Sequence, residues 1–283
     1  MKSEWKEHLK NVLKTLRLYR PAVDVYIRLE TLYVNGKDKL RYLYSPFLNM
    51  RFKRQGVTDG LPFPPIRLVH LVTNTYRYDW FYQSGILGAR SIRDLLEKSD
   101  LDINGFEAIL DFGCGCGRVM RQWKTLNGPK LFGTDCNPML VSWCQKHLPF
   151  AEFMVNRRSL PLSYLDEAFD FIYAISVFTH LDEVMGNFWI KELSRILKPA
   201  GLIYMTVMGA QRVAHLPREL QEQFEAGHLV VTGGEHLFKN TCAAYHPEPY
   251  VHRMLPEGIQ ILDFMLGGAK DAYQDVFLLQ KQK

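Results

Sequence analysis

Long apolar runs are missing from this 283-residue chain, and none approaches the roughly 18 residues a membrane-spanning helix needs. The opening stretch MKSEWKEHLK has no apolar core of the kind a secretory leader carries, so a cytoplasmic location is expected. Cysteine is scarce. Five cysteines without framework spacing fit a reducing compartment better than a disulfide scaffold. No CxxC-type set of zinc ligands occurs. No HxH or HxxxH pair occurs either, although five of the nine histidines fall within residues 215–252, so no metal is expected. The phosphate-cradling pattern GxxxxGK[ST] is absent, as are internal repeats and low-complexity tracts.

What is present reads as an ordinary globular chain, with 47% hydrophobic and 23% charged residues. The length suits one large domain, or a domain with an appendage. Net charge is +5 but uneven. Residues 1–70 hold seven Lys and seven Arg against six acids, a balance of +8, which leaves −3 for the remainder. A basic front section could steer an anionic substrate, a membrane surface or nucleic acid, or simply be a solvated face.

Residues 4–19 predict an amphipathic helix with Trp5, Leu9, Val12, Leu13, Leu16 and Tyr19 on one side and Lys2, Lys6, Lys10 and Lys14 on another. Such a helix docks on the protein or lies on an acidic surface, and peripheral membrane contact by residues 1–20 is the second of these readings. LPFPP at 61–65 reads as a loop or linker, and helical spacing resumes near Trp80, with Ile86, Ala89, Ile92, Leu95 and Leu96 on one face. The expected division is a basic helical or irregular extension over 1–75 and a main domain over 76–283.

From residue 106 short apolar runs alternate with helical segments: EAIL, VMRQWKTL, KLFGT, MLVSWCQKHL, EFMV, FDFIYAI, DEVMGNFWIKELSRIL and LIYMTV. That alternation predicts an α/β fold with a doubly wound, mostly parallel sheet. Residues 208–250 break the rhythm and read as an insertion over the carboxyl edge of the sheet. The closing runs GIQILDFM and QDVFLLQ are joined too closely for a crossover, so the last strand should be antiparallel.

The stretch ILDFGCGCGRV, residues 109–119, sits where a strand should give way to a helix. Glycines there permit a sharp turn and close approach of a ligand to the backbone. A following helix would offer unpaired N–H groups and a positive end. A dinucleotide GxGxxG fails, because Arg118 or Met120 stands where the third glycine should be.

The pattern Asp-Phe-Gly-Cys-Gly-Cys-Gly, with LFGTDCNPM, VNRRSLPL, FDFIYAISVFTHL and LKPAGLIYMTV following in order, resembles the class I S-adenosylmethionine-dependent methyltransferases. The resemblance covers roughly residues 106–283 and implies a seven-stranded sheet and S-adenosyl-L-methionine as cofactor. It implies a cofactor site of Asp111, Gly113, Cys114, Gly115, Gly117, Asp135, Cys136, Asn156, Arg157 and Ser176. Asp135 would hold both ribose hydroxyls, since a carboxylate offers two acceptors to a vicinal diol. Asn156 replaces the family's usual Asp beside the adenine amino group, and Arg157 follows it. Cys114 and Cys116 read as small buried residues beside the glycines.

GCGCGR, the VFTHL exit, AAYHPEPYV and the closing Gln274–Asp275 further resemble a bacterial subset acting on small molecules or glycans. In that subset residues 62–96 would form a lead-in helix closing over the cofactor, with Tyr78 and Tyr82 as covering residues. His180 follows the fourth strand, where a neutral imidazole could take a hydroxyl proton; pinning its loop is the structural alternative. His246 is a second candidate base or acceptor-binding donor, or a surface-loop residue. Methyl transfer to a small-molecule or glycan acceptor, at oxygen rather than nitrogen, is the expected activity. A nucleic-acid methyltransferase using the basic front section is disfavoured, because Ala174-Ile175-Ser176-Val177 stands where an Asn/Asp-Pro-Pro-aromatic motif would be. A catalytically silent cofactor-binding protein is the third reading.

Overall fold

The computed structural model describes residues 36–52, 54, 59–157, 161–233 and 242–283. The expected helix over 4–19, and the membrane contact by residues 1–20, lie outside them. The chain divides into two compact units, Met1–Gln55 and Gly56–Lys283. This boundary falls ahead of the expected one, and the described residues that follow it, from Asp59 on, are tied into the second unit. Asp59 ion-pairs with Arg121 at 2.7 Å, and the Leu61 carbonyl accepts from the same guanidinium at 3.2 Å.

Helix α1, residues 36–52, is the described part of the first unit. Pro46 has no N–H for the Tyr42 carbonyl, and the Ser45 hydroxyl donates to that carbonyl instead, at 2.7 Å. The helix therefore runs through its proline with the freed acceptor satisfied.

The second unit is built on a seven-stranded sheet: β1 Ala108–Phe112, β2 Lys130–Asp135, β3 Glu152–Val155, β4 Phe169–Ala174, β5 Leu197–Val207, β8 Ile259–Ala269 and β9 Gln274–Lys281. Their order is β3-β2-β1-β4-β5-β9-β8. The pairs from β3 to β5 are parallel, and β9 runs antiparallel to both neighbours, β5 and β8. This is the doubly wound, mostly parallel architecture expected of the strand–helix rhythm. A two-stranded antiparallel sheet, β6 Val230–Thr232 with β7 Ala243–Tyr245, lies within the segment read as an insertion.

Alternation along the strands makes two cores. In β5, Leu202 and Tyr204 pack on one face while Ile203, Met205 and Val207 pack on the other; β9 divides Val276 and Leu278 from Phe277 and Leu279 in the same way. Helices α2 (Ile66–Thr73), α3 (Tyr78–Lys98) and α4 (Pro138–His147) contribute to the first core. Helix α5 (Glu183–Ile196) contributes to the second, through Trp189, Ile190, Leu193 and Ile196. The starts of α4 and α5 are written in the sequence: Asn137 caps Met139 N–H at 3.0 Å, and Asp182 caps Met185 N–H at 2.8 Å. Short helices α6 (Ala210–Val213), α7 (Arg218–Glu225) and α8 (Glu248–Met254) complete the unit. Among the described residues no helix is long and apolar enough to cross a membrane.

One local expectation fails. The segment VMRQWKTL is not an α-helix; turns lead into a single 3₁₀ stretch, Met120–Trp123. Its side chains are held by tertiary partners instead. Arg121 is drawn to Asp59, and the Trp123 indole N–H donates to the Tyr173 hydroxyl at 3.1 Å. The glycine turn therefore feeds no helix macrodipole.

Candidate functional site

The carboxyl ends of β1, β2 and β4 open into a cavity of about 940 Å³. That is near the top of the range of roughly 300–1,000 Å³ for small-ligand sites, enough for a nucleoside-sized molecule and a second reactant. Asp111, Gly113, Cys114, Gly115, Asp135, Cys136, Asn156, Ser176 and His180 all line it. The segments that carry these residues are far apart in sequence, and the parallel sheet brings them to one edge.

The glycine turn is fixed from behind. Gly113 and Cys114 N–H both donate to the Thr134 carbonyl, at 2.8 and 3.0 Å. Gly113 and Gly115 have φ of +82° and +56°, a region side chains rarely adopt. A Cβ on Gly113 would lie 2.3 Å from Val177 Cγ2, and one on Gly115 would lie 2.9 Å from Val72 Cγ2. Crowding by Val72, rather than by ligand alone, therefore holds position 115 to glycine.

Asp135 ends β2 and meets the turn directly. One carboxylate oxygen accepts Gly115 N–H at 2.9 Å and the other accepts Asn137 N–H at 2.8 Å. Burial raises its pKa, and these two N–H groups pull it back. Each oxygen keeps a second lone pair. Asn156 N–H reaches the Asp135 carbonyl at 3.1 Å, and its amide oxygen accepts from the Thr134 hydroxyl at 2.9 Å.

Asp111 lies one strand over, 4% exposed. The β1–β4 register sets it opposite Tyr173, whose hydroxyl favours the charged form of its carboxylate. Burial pushes its pKa up to about 7, against the pull of Tyr173 and the Arg118 cation. Arg118 itself donates to the Ser84 carbonyl at 2.7 Å and to Asp271 at 2.8 Å. Asp271 Oδ1 is buried without a partner, and Asp271 also lines the cavity. A carboxyl lifted to near neutrality and an orphaned carboxylate oxygen both favour a ligand that brings positive charge, so the residues fit S-adenosylmethionine.

At the exit of β4, Ser176 takes a positive φ of 58°. Its N–H donates to Thr206 Oγ1 at 2.8 Å. The hydroxyls of Ser176 and Thr206 both donate to Gln274 Oε1, at 2.9 and 2.7 Å. His180 follows in a 3₁₀ turn, with Nδ1 2.7 Å from the Cys242 carbonyl oxygen. A carbonyl has no proton to give, so Nδ1 carries the hydrogen, and Nε2 is the ring nitrogen left to accept a proton.

Other expected site residues stand elsewhere. His246 is 3% exposed, packs edge-on to Tyr250 and bonds the Ala244 carbonyl at 3.2 Å. Burial lowers its pKa to about 4, which makes it a neutral packing residue away from the cavity lining. Arg157 is exposed and does not line the cavity. Gly117 does not line it either; its φ of +75° and the closeness of Leu148 hold it as glycine. Tyr78 and Tyr82 pack on Phe63, with ring centroids 5.2 and 6.2 Å apart, and Tyr82 also faces the Arg121 guanidinium. Trp80 and Ser84 of the same helix line the cavity in their place, together with His70–Asn74 at the end of α2. LPFPP is the loop its composition predicts, and α2 starts directly after it at Ile66, with Pro65 at the N-cap and no side-chain cap to mark the helix in the sequence. Arg212 in α6, Asp271 in the turn before β9 and Gln274 at the start of β9 also line the cavity, and no periodic pattern in the sequence marks single polar residues at such element ends.

Residues 110–205 match the family described as methyltransferase domain. The sterol 24-C-methyltransferase erg6 of Schizosaccharomyces pombe is 26% identical over 175 residues, which cover 56% of this chain and 46% of that protein. The 24-methylenesterol C-methyltransferase 2 of Oryza sativa subsp. japonica is 29% identical over 187 residues, covering 59% of this chain and 50% of that protein. The chain thus spans about half the length of these relatives. A crystal structure of an S-adenosylmethionine dependent methyltransferase from Mesorhizobium loti superposes with a TM-score of 0.50 at 12% identity, covering 68% of this chain and 98% of that one.

Proposed function

We propose that the class I S-adenosylmethionine-dependent methyltransferase domain carried by this chain moves a methyl group onto a hydroxyl oxygen of a small-molecule acceptor, with His180 as the base. The single observation that carries this reading is the 2.7 Å approach of His180 Nδ1 to the Cys242 carbonyl oxygen beside the cavity, from which the tautomer follows. The bound cofactor supplies an activated methyl group on a sulfonium sulfur. In this reading the chain does the rest. Asp135 grips the ribose hydroxyls with the lone pairs its backbone partners leave over. The turn around Gly113 and Gly115 offers a wall bare of side chains. Asp111 and the free oxygen of Asp271 answer positive charge. His180 Nε2 accepts the hydroxyl proton as the oxygen becomes nucleophilic, a step worth about 10²–10⁴ in rate. Gln274, its Oε1 occupied by two hydroxyls, has its amide N–H groups left to orient an acceptor oxygen.

A second reading follows from the sterol C-methyltransferase likeness: transfer to carbon of a sterol-like acceptor. Leu71, Val72, Leu181 and Trp189 among the lining residues would give such a molecule an apolar wall.

Two measurements test the proposal. Calorimetric titration with S-adenosylmethionine should show Asp135→Ala binding weaker by about 1–3 kcal/mol, the cost of leaving buried hydroxyls without a charged acceptor. With labelled cofactor and a panel of hydroxylated and sterol acceptors, His180→Gln should bind cofactor normally and lose most O-methylation. Unchanged cofactor affinity in the first variant, or unchanged turnover in the second, would overturn the assignment. Label appearing only on sterol carbon would favour the second reading.

A further inference from the structure

Helix α1 is amphipathic in the reverse sense. Its inward stripe carries Ser45 and Asn49, 4% and 1% exposed, and the Asn49 amide donates to the Ser45 carbonyl at 2.7 Å. Its outward side carries Leu40, Leu43, Tyr44, Phe47 and Leu48, each more than half exposed, with Phe47 at 73%. These five follow the spacing i, i+3, i+4, i+7, i+8. With Met50 they cover an arc of about 160° at 100° per residue. Isolated exposed apolar residues need no explanation, but a continuous face does.

The charges around that face say what covers it. Exposed Lys39 and Arg41 border the arc on its two sides, and exposed Arg51 and Arg54 stand at its C-terminal end. The sole acid within 36–54 is Asp38, which lies on the inward side. An apolar strip edged by cations, with Tyr44 and Phe47 at its centre, matches the boundary between acyl chains and anionic headgroups. The strip enters the acyl region while Lys and Arg stems reach back to phosphate. We infer that α1 is a membrane-surface helix which holds this chain on anionic lipid, parallel to the bilayer plane. A protein partner or a second copy would meet the same apolar strip but would not need cations along both edges.

The test uses the full chain and sonicated vesicles, either of phosphatidylcholine alone or of phosphatidylcholine mixed with phosphatidylserine. The wild type should float with the mixed vesicles, bind pure phosphatidylcholine at least tenfold more weakly, and be released by raised salt. Leu43→Asp/Phe47→Asp should lose at least tenfold in binding to mixed vesicles, and Lys39→Glu/Arg41→Glu should lose the preference for them. Both variants alter exposed positions outside the cavity, so cofactor binding by calorimetry serves as the control for folding. Failure of the wild type to bind mixed vesicles would overturn the proposal, as would equal binding by the Asp variant. A wild-type dimer that the Asp variant converts to monomer, without vesicle binding in either, would assign the strip to a second copy instead.

Discussion

Replacing Asp111 with Asn isolates the electrostatic cost of the glycine-turn carboxyl. Its ordinary pKa of 3.8 is pushed up to about 7 by burial. A folded-state pKa above the unfolded one means that the native protein holds the proton more tightly. The associated stability is fully present below the unfolded pKa and is lost as pH rises through the folded one. With one pKa unit equal to about 1.4 kcal/mol, the whole shift amounts to about 4 kcal/mol, of which about 2.5 kcal/mol disappears between about pH 5 and about pH 8. Asn is nearly isosteric, so the variant should lack this component while keeping its packing. The assay is urea unfolding of both proteins at several pH values. Burial also raises the pKa of Asp135 and of Asp275, so both proteins should share a background slope of the same sign. The difference between the two curves should therefore grow steadily in favour of Asp111→Asn as pH rises. Parallel curves across that window would refute a buried, proton-retaining Asp111. In the same variant, cofactor affinity should lose the rise with pH that ionisation of Asp111 gives the wild type.

Two further substitutions probe how the turn is braced. Gly85→Ala would place a methyl 2.2 Å from the Arg118 carbonyl oxygen, and overpacking of this kind costs about 1–3 kcal/mol, more than the roughly 1 kcal/mol gained in helix propensity. Thermal unfolding should show a lower midpoint, and a higher one would show that α3 can move off the turn. Asp59→Asn leaves Arg121, whose side chain is 1% exposed, without its counter-ion against Phe63, Phe81 and Tyr82. The expected loss is about 3–5 kcal/mol by denaturant titration, partly recovered in Asp59→Asn/Arg121→Met; additive losses would contradict the pairing.

The sheet was legible because its strands obey simple rules. FDFIYAI and QDVFLLQ are buried on both faces and read as short continuous apolar runs, and the close spacing of the last two strands fixed their antiparallel sense. That Gly113, Gly115 and Asp135 meet at one edge was legible too, since they occupy positions where backbone geometry and charge leave few substitutes. The cavity's roof was not. Val72 and Trp80 reach it through the packing of α2 and α3, and Tyr82 is turned away by Arg121, a preference no local pattern encodes. Similarly, spacing gives His180 and His246 equal standing. Only tertiary burial separates the ring that lines the cavity from the one sealed beside Tyr250.

The placement of β9 between β5 and β8 has a consequence for synthesis. Gln274, which anchors Ser176, is the first residue of that strand, and Asp271, which anchors Arg118, lies in the turn just before it. A ribosome-bound chain halted before this hairpin would have every glycine of the turn in place, yet one flank of β5 would be bare and both anchors missing. Such a nascent chain would present an open sheet edge, prone to pairing with another chain, until the hairpin closes it.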